Sequence, residues 1–517
     1  MKDVIDRVWD VIVIGTGMGG GTAGRALAEA GKSVLFIEKG RKGIRTERQG
    51  IDQSLTDPLA RSVRGFWPDL MHGMVNGKPQ SFFPALGSGA GGSSVFYAAT
   101  LERPEPHDLD HTEAKPHPTG GWPGGYEAMQ PWFDKAEALY KVHGEVDPLS
   151  KVPCPSLDKP FEPSEGDQAI FAGLRVNGRH PYQLHTAVTR VEGCLECLGV
   201  KCPRTCKMDG RSAGLEPALA TGHAVLLDEC EVTGFRGSAN QISHVEATRH
   251  GQRLELRARE YVLAAGALNS PRLLLASKTA YWPNGCANTN DLVGRHLMFH
   301  LNEIFAIWPP KSGGSKLPSK SVGLRDLYML DGQRMGMVQA MGVNVSYPLI
   351  AQFLKEQIEE SAFRRFSLVA HFAAWPVSKI LGTAKLFVGI LEDLPYRENR
   401  VTLSEDNPTR MQFEYTIQPE LMQRRRHFRQ AIKKSFRGMQ PVFGGWVPTL
   451  NYGLGCGTLR AGLDAQTSVL NGDCRAHEIE NLYVADASFF PTSTGVNPSL
   501  TIAANALRVA DRIRKKP

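Results

Sequence analysis

The first residues that could do chemistry are Gly15, Gly17 and Gly20, spaced G-x-G-x-x-G. They follow the apolar run "DVIVI" and open the helix-forming stretch "TAGRALAEAG". In that setting Gly15 permits a tight turn and Gly17 lets the backbone approach a pyrophosphate. Gly20 allows a helix to pack close on a strand. The phosphates would sit at the positive end of the helix. Glu38 lies eighteen residues beyond Gly20, at the end of the next apolar run, "SVLFIEKG". A carboxylate there can accept hydrogen bonds from ribose hydroxyls. These residues read together as a dinucleotide site.

Sulfur supplies the second group. "CLECLGVKCPRTCK" places Cys194, Cys197, Cys202 and Cys206 within one short run, out of nine cysteines in all. Thiolates are soft ligands, so an iron–sulfur cluster and zinc are both readings of the run. Disulfides or free structural thiols are the third. The spacing departs from a ferredoxin run, and an odd cysteine count does not resemble a secreted disulfide framework. A basic run, "RRRHFR" (424–429), falls on an expected helix. It reads as a solvated face, with docking of an acidic redox partner as the sharper alternative.

These groups need elements to hold them. The opening stretch reads as strand, glycine turn, helix and second strand, the start of a βαβ unit. "YEAMQPWFDKAEALYKVHG" has helical spacing, and "YVLAAGALNSPRLLLAS" reads as strand, turn and helix start. The last seventy residues return to the opening pattern, with "NLYVADASFFP" as strand and turn and "SLTIAANALRVADRIR" as helix. A nucleotide-binding pattern at both ends predicts a discontinuous α/β fold. Its Rossmann-like domain comprises 1–103, 185–300 and 450–517. An antiparallel-sheet and helix substrate domain with connectors comprises 104–184 and 301–449.

The chain of 517 residues, 42% hydrophobic and 22% charged, has an ordinary globular composition. Sixty Lys+Arg against 53 Asp+Glu is a mild excess, which argues against nucleic-acid binding. No signal peptide and no twin-arginine motif open the chain, so a cytoplasmic protein is expected. "FSLVAHFAAWPVSKILGTAKLFVGIL" (366–391) is broken by His371, Pro376, Lys379 and Lys385, so buried or surface-lying helices are expected and no transmembrane segment. The apolar region 345–391 could line a greasy access path or make peripheral membrane contact, beside the plainer reading of core packing.

The sequence resembles the glucose–methanol–choline (GMC) oxidoreductase family nearly end to end. Beyond the glycine motif, the similarity runs through "GAGGSSVFYAA" (89–99), "GGWPGGYEAMQPWFDKAE", "AAGALNSPRLLLAS", "DLVGRHLMFH" and "LPYRENRVTLS". It ends in "NLYVADASFFPTSTGVNPSLTIAANALRVA". The resemblance implies FAD, with Gly15, Gly17, Gly20 and Glu38 holding its ADP half. It places Gly91, Gly92 and Ser93 by the flavin ring and ribityl chain, and Asp486 by the ribityl or pyrophosphate. Asn497, in "GVNPS", would be the second member of the family's catalytic pair. Where some members tether FAD through a histidine, this chain has Val95 and Phe96, so non-covalent FAD is expected.

The first member of that pair is missing. The family's catalytic histidine precedes Gly-Thr in His-x-x-Gly-Thr, and setting Gly457-Thr458 on those residues puts Leu454 in its place. No histidine lies from 428 to 476. A positioned base is worth ~10²–10⁴-fold in alcohol oxidation. His371, Tyr452 and His300 are candidate substitutes by type, and Cys456 stands close to Leu454. The simplest expectation is hydride transfer from an apolar or aromatic alcohol, or a related C–H donor, to flavin N5. The rivals are base-free flavin chemistry (desaturation or light-driven decarboxylation) and a weakly catalytic electron carrier. Oxygen, a quinone and a redox protein all remain open as electron acceptor.

Overall fold

The computed structural model describes residues 2–194, 197–309, 320–342, 384–404, 410–445 and 447–516. The first of two seven-stranded sheets begins with Val8–Ile14, whose residues from Val11 to Ile14 are all buried. Such a run suits a strand covered on both faces. It lies parallel to Val34–Ile37 on one side and to Gln252–Leu263 on the other. Ala224–Leu227 extends the sheet beyond Val34–Ile37. Leu482–Val484, from the far end of the chain, adds a parallel strand against Gln252–Leu263. That long strand serves twice, because its opening residues also pair antiparallel with Ile242–Arg249.

The helices Met18–Glu29, Gly125–Tyr140 and Ser499–Arg514 pack together on this sheet. Tyr140 Oη and Thr22 Oγ1 meet at 2.7 Å between two of them. Their apolar faces join the strands in one core that includes Leu27, Phe36, Phe133 and Leu500.

The second sheet is antiparallel. Its order is Val442–Phe443, Met298–Ile307, Lys385–Leu391, Val338–Ala340, Val322–Leu324 and Tyr182–Gln183. Thr449–Cys456 also pairs with Met298–Ile307. Alternation along Met298–Ile307 sends Phe299, Leu301 and Phe305 into a second core with Phe387 and Phe428. The other face, with His300 and Asn302, turns toward the first sheet. Lys385–Leu391 is therefore a strand where a helix was expected, because its residues complete this sheet. The rest of the apolar region from 345, with His371, lies outside the described residues. No helix among the described residues is long and apolar enough to cross a membrane.

The helix Pro419–Ser435 corrects the reading of the basic run. Arg424 and Arg425 are buried, and only part of "RRRHFR" meets solvent. Arg424 pairs with Glu420, while Arg425 and Arg429 both pair with the buried Glu303 of Met298–Ile307. These arginines fasten a helix to the second sheet, and they do not form a free docking face.

Candidate active site

The two sheets share a cavity of about 600 Å³, within the usual size range of cofactor and ligand sites. Its first end is built from the turn after Val8–Ile14. Gly15 adopts φ +96°, and a Cβ on it would lie 2.4 Å from the Ala264 carbonyl oxygen. A Cβ on Gly20 would lie 2.0 Å from the Gly15 carbonyl oxygen, so Gly20 sets the helix–strand approach. A Cβ on Gly17 would meet nothing within 4 Å. Gly17 caps the helix and faces the cavity, which leaves room for a phosphate at the helix N-terminus.

Glu38 is buried on the cavity wall. Its carboxylate accepts from Thr16 N at 3.1 Å, Thr16 Oγ1 at 2.7 Å and Gly40 N at 3.1 Å. Burial pushes its pKa up despite these donors. Asp486 lines the cavity as well, and one of its oxygens accepts from Gly266 N at 2.8 Å and from Ser270. Its other oxygen accepts from the Ser488 backbone and hydroxyl. Gly92 and Ser93 line the cavity. Gly91 sits behind them: it adopts φ +90°, donates from N to Thr16 Oγ1 at 3.1 Å, and would press a Cβ against Val95.

The second end rests on the antiparallel sheet. Asn302 pairs with Ile390, and Val388 pairs with Gln339, so these neighbours form a continuous floor. Asn451, Tyr452 and Leu454, from Thr449–Cys456, extend it. Opposite stands Asn497, just before the helix Ser499–Arg514, whose positive end meets the cavity. Leu454 and Asn497 thus share one cavity. Three buried acceptors around it, Asn302 Oδ1, Gln339 Oε1 and Asn497 Oδ1, have no partner among the described residues. Unpaired buried acceptors are uncommon, and they fit a bound molecule that donates hydrogen bonds.

The segment bearing Asn497 is tightly held. Thr492 Oγ1 accepts from Trp122 Nε1 at 3.0 Å, and Ser493 Oγ donates to the Asp393 carbonyl at 2.9 Å. Gly495 N donates to Tyr328 Oη at 3.1 Å, and that hydroxyl donates to Asp108 Oδ2 at 2.6 Å. Thr494 adopts φ +62°, a rare conformation for a β-branched residue.

The candidate substitute bases fare differently. His300 shares the face of Asn302, but the 493–495 segment covers it. Its Nε2 lies 3.0 Å from the Thr494 carbonyl oxygen, and it does not line the cavity. Burial pushes it down to about 4, although the Thr494 carbonyl opposes the shift. Tyr452 reaches the cavity, and its hydroxyl donates to Gln80 Oε1 at 3.0 Å. Cys456 is fully buried behind the wall, and burial holds its thiol well above the ordinary range. It does not touch the cavity. Phe96 lines the wall and carries no group that could tether a flavin.

Cys194, Cys197, Cys202 and Cys206 do converge, in a small cluster with Val200. Cys202 is hydrogen-bonded to Cys206. All four are free, so the disulfide reading is set aside. Among the described residues, no group of three or more His, Cys, Asp or Glu is arranged to hold a metal ion.

Sequence reasoning missed Asn302, Gln339, Asn451 and Lys320 on the cavity wall. Asn302 could have been found, because it lies two residues beyond His300 on an alternating strand. Lys320 and Gln339 carry no local signal.

Two family profiles, both described as GMC oxidoreductase, match residues 10–302 and 395–506. The chain is 28% identical to a 6'''-hydroxyparomomycin C oxidase of Streptomyces lividus, over 98% of this chain and 92% of that one. It is 26% identical to a 2-methyl-1,2-propanediol dehydrogenase of Mycolicibacterium austroafricanum, over 98% and 95%. Among solved structures, a pyridoxine 4-oxidase from Mesorbium loti superimposes with a TM-score of 0.66 at 18% identity, covering 98% of this chain and 99% of that one. A formate oxidase gives 0.67 at 14% identity, covering 98% of each chain.

Proposed function

Because the chain belongs to the GMC oxidoreductase family, whose members are FAD-dependent enzymes acting on CH–OH donors, we propose that it oxidises an alcohol carbon to a carbonyl over a non-covalently held FAD. When bound, FAD supplies the two-electron acceptor. Gly15, Gly17, Gly92, Ser93 and Glu38 would hold it, with Asp486 bracing the strand ends beside it. Gly20 and Gly91 would keep the turn and the loop in shape. Asn497 would accept a hydrogen bond from the substrate hydroxyl through its unpartnered amide oxygen, and Leu454 would contribute a wall without proton chemistry.

The observation that carries this reading is the unpartnered Asn497 amide oxygen in the cavity shared with Leu454. The expected apolar or aromatic substrate rested on 345–391, most of which lies outside the described residues. The described floor presents amides, so a polar, hydroxyl-bearing substrate is the better reading. The paromomycin-type and diol-oxidising relatives support it. Anaerobic mixing with a panel of sugars, diols and aryl alcohols tests the proposal. Bleaching by hydroxyl-rich compounds, lost in Asn497→Ala, would support it. Bleaching only under blue light would favour decarboxylation, and reduction only by a redox partner would favour an electron carrier.

An iron–sulfur group on the four clustered cysteines is the alternative reading. The free thiols do not form a ligand set as they stand. Bound iron with a broad absorbance beneath the flavin bands would support that reading, and a plain flavin spectrum would sink it.

A further inference from the structure

Alcohol oxidation leaves one need unmet, because something must take the hydroxyl proton and Leu454 cannot. Most ionisable groups on the cavity wall are already committed. Glu38 and Asp486 serve the dinucleotide end. Lys39 pairs with Asp69 and Glu231. Tyr97 donates to the Met208 carbonyl, and Tyr452 donates to Gln80.

Lys320 is different. It stands two residues before Val322–Leu324 and is only 7% exposed. Its stem runs beside Gly342, where an added Cβ would lie 2.7 Å from Lys320 Cδ. Its Nζ ends 2.6 Å from Thr100 Oγ1. Thr100 lines the main cavity and not the small pocket on the other side of Lys320. The tip of the side chain therefore faces the main cavity. Ser321, the next residue, accepts from Leu184 N at 2.8 Å, and Leu184 packs with Val496 beside Asn497. Lys320 and Asn497 thus line the same cavity.

Among the described residues, the charged surroundings leave the amine without a counter-ion. Glu102 is the nearest charged influence, but it is tied to Arg325 and to the His185 backbone. His143 and Arg190 share the small pocket behind Lys320. Among the described residues Lys320 makes no ion pair. Burial pushes its amine down to about 7, with Glu102 pulling the other way. A base that ionises near the working pH is the effective kind.

Resting on the alcohol-oxidation reading, we propose that Lys320 is the general base of this site. Its amine takes the hydroxyl proton of the alcohol. The adjacent C–H bond breaks with its electron pair passing to the flavin, and the same carbon and oxygen become a carbonyl. The alcohol loses one proton to Lys320 and one hydride to the flavin, which is thereby reduced by two electrons, and Lys320 later returns its proton to solvent.

The test is anaerobic flavin reduction by the best alcohol of the panel between about pH 6 and 9, using the flavin-loaded full chain. The rate should rise through an ionisation near 7 and then level. Lys320→Met should lower it by ~10²–10⁴-fold and abolish that limb. Lys320→Arg should do the same, since it keeps charge and bulk but cannot deprotonate. Both variants should keep the flavin content and melting temperature of the parent. An unchanged rate, or a surviving limb, in a flavin-loaded variant would overturn Lys320 as base and leave alcohol oxidation standing. If neither variant holds flavin, the parent profile decides, and a flat profile overturns the proposal. If no alcohol bleaches the parent, both readings fall.

Discussion

Tyr328→Phe is the most searching test of how the site is held together. The ring packs with Leu184, Met337 and Val496, and phenylalanine preserves that packing. What is lost is one oxygen that accepts from Gly495 N and donates to Asp108 Oδ2. Asp108 keeps its bond from Glu105 N, but the buried Gly495 N–H loses its partner. An orphaned buried N–H costs about 1–3 kcal/mol, and a hydrogen bond to a charged group contributes about 1.5–3 kcal/mol. The two share one oxygen and do not simply add, so a loss of about 3 kcal/mol is expected. Gly495 lies two residues before Asn497, so the amide should shift as the segment loosens. A misplacement near 1 Å can cost ~10²-fold in rate. Denaturant unfolding should show the stability loss, and anaerobic flavin reduction should slow by ~10–10²-fold while flavin content stays that of the parent. Full stability loss with an unchanged reduction rate would refute the idea that this hydroxyl positions Asn497.

Other outcomes follow from the same structure. Gly20→Ala places a methyl 2.0 Å from the Gly15 carbonyl oxygen, and the purified protein should lack flavin absorbance. Glu303→Gln breaks the buried contacts to Arg425 and Arg429 and should lower the unfolding free energy by ~3–5 kcal/mol. Acid should destabilise the chain through His117, His296 and His300, each pushed down to about 4 by burial. The unfolded histidines take protons first, near 6.5. Their stabilisation is therefore present above that pH and is lost as pH falls toward 4, at roughly 1.4 kcal/mol per pH unit for each. Unfolding midpoints measured across that window should show the slope, and His300→Gln should make it shallower.

What could be read from the sequence was what lies close together in it. Gly15, Gly17, Gly20 and Glu38 fall within one βαβ unit, where local period and turn chemistry suffice. Leu482–Val484 and Ser499–Arg514 repeat that grammar, so the closing segments were legible too. The floor of the site was not, because it depends on antiparallel pairing between short strands far apart in the chain. Gln339 meets Val388, and Asp108 meets Tyr328, across stretches that carry no shared pattern. The basic run misled for the same reason. Its partner, Glu303, sits more than a hundred residues upstream on another element. His300 was a candidate by residue type alone, and a segment nearly two hundred residues later covers it.

In the proposed reaction a hydroxyl-bearing substrate reduces bound FAD in this cavity although Leu454 stands where the family's histidine would be. Anaerobic mixing with a hydroxyl-rich alcohol in the dark tests it most directly. The expected result is loss of the oxidised flavin bands, with one carbonyl formed for each flavin reduced. Flavin that stays oxidised with every alcohol, or that bleaches only in blue light, would contradict it.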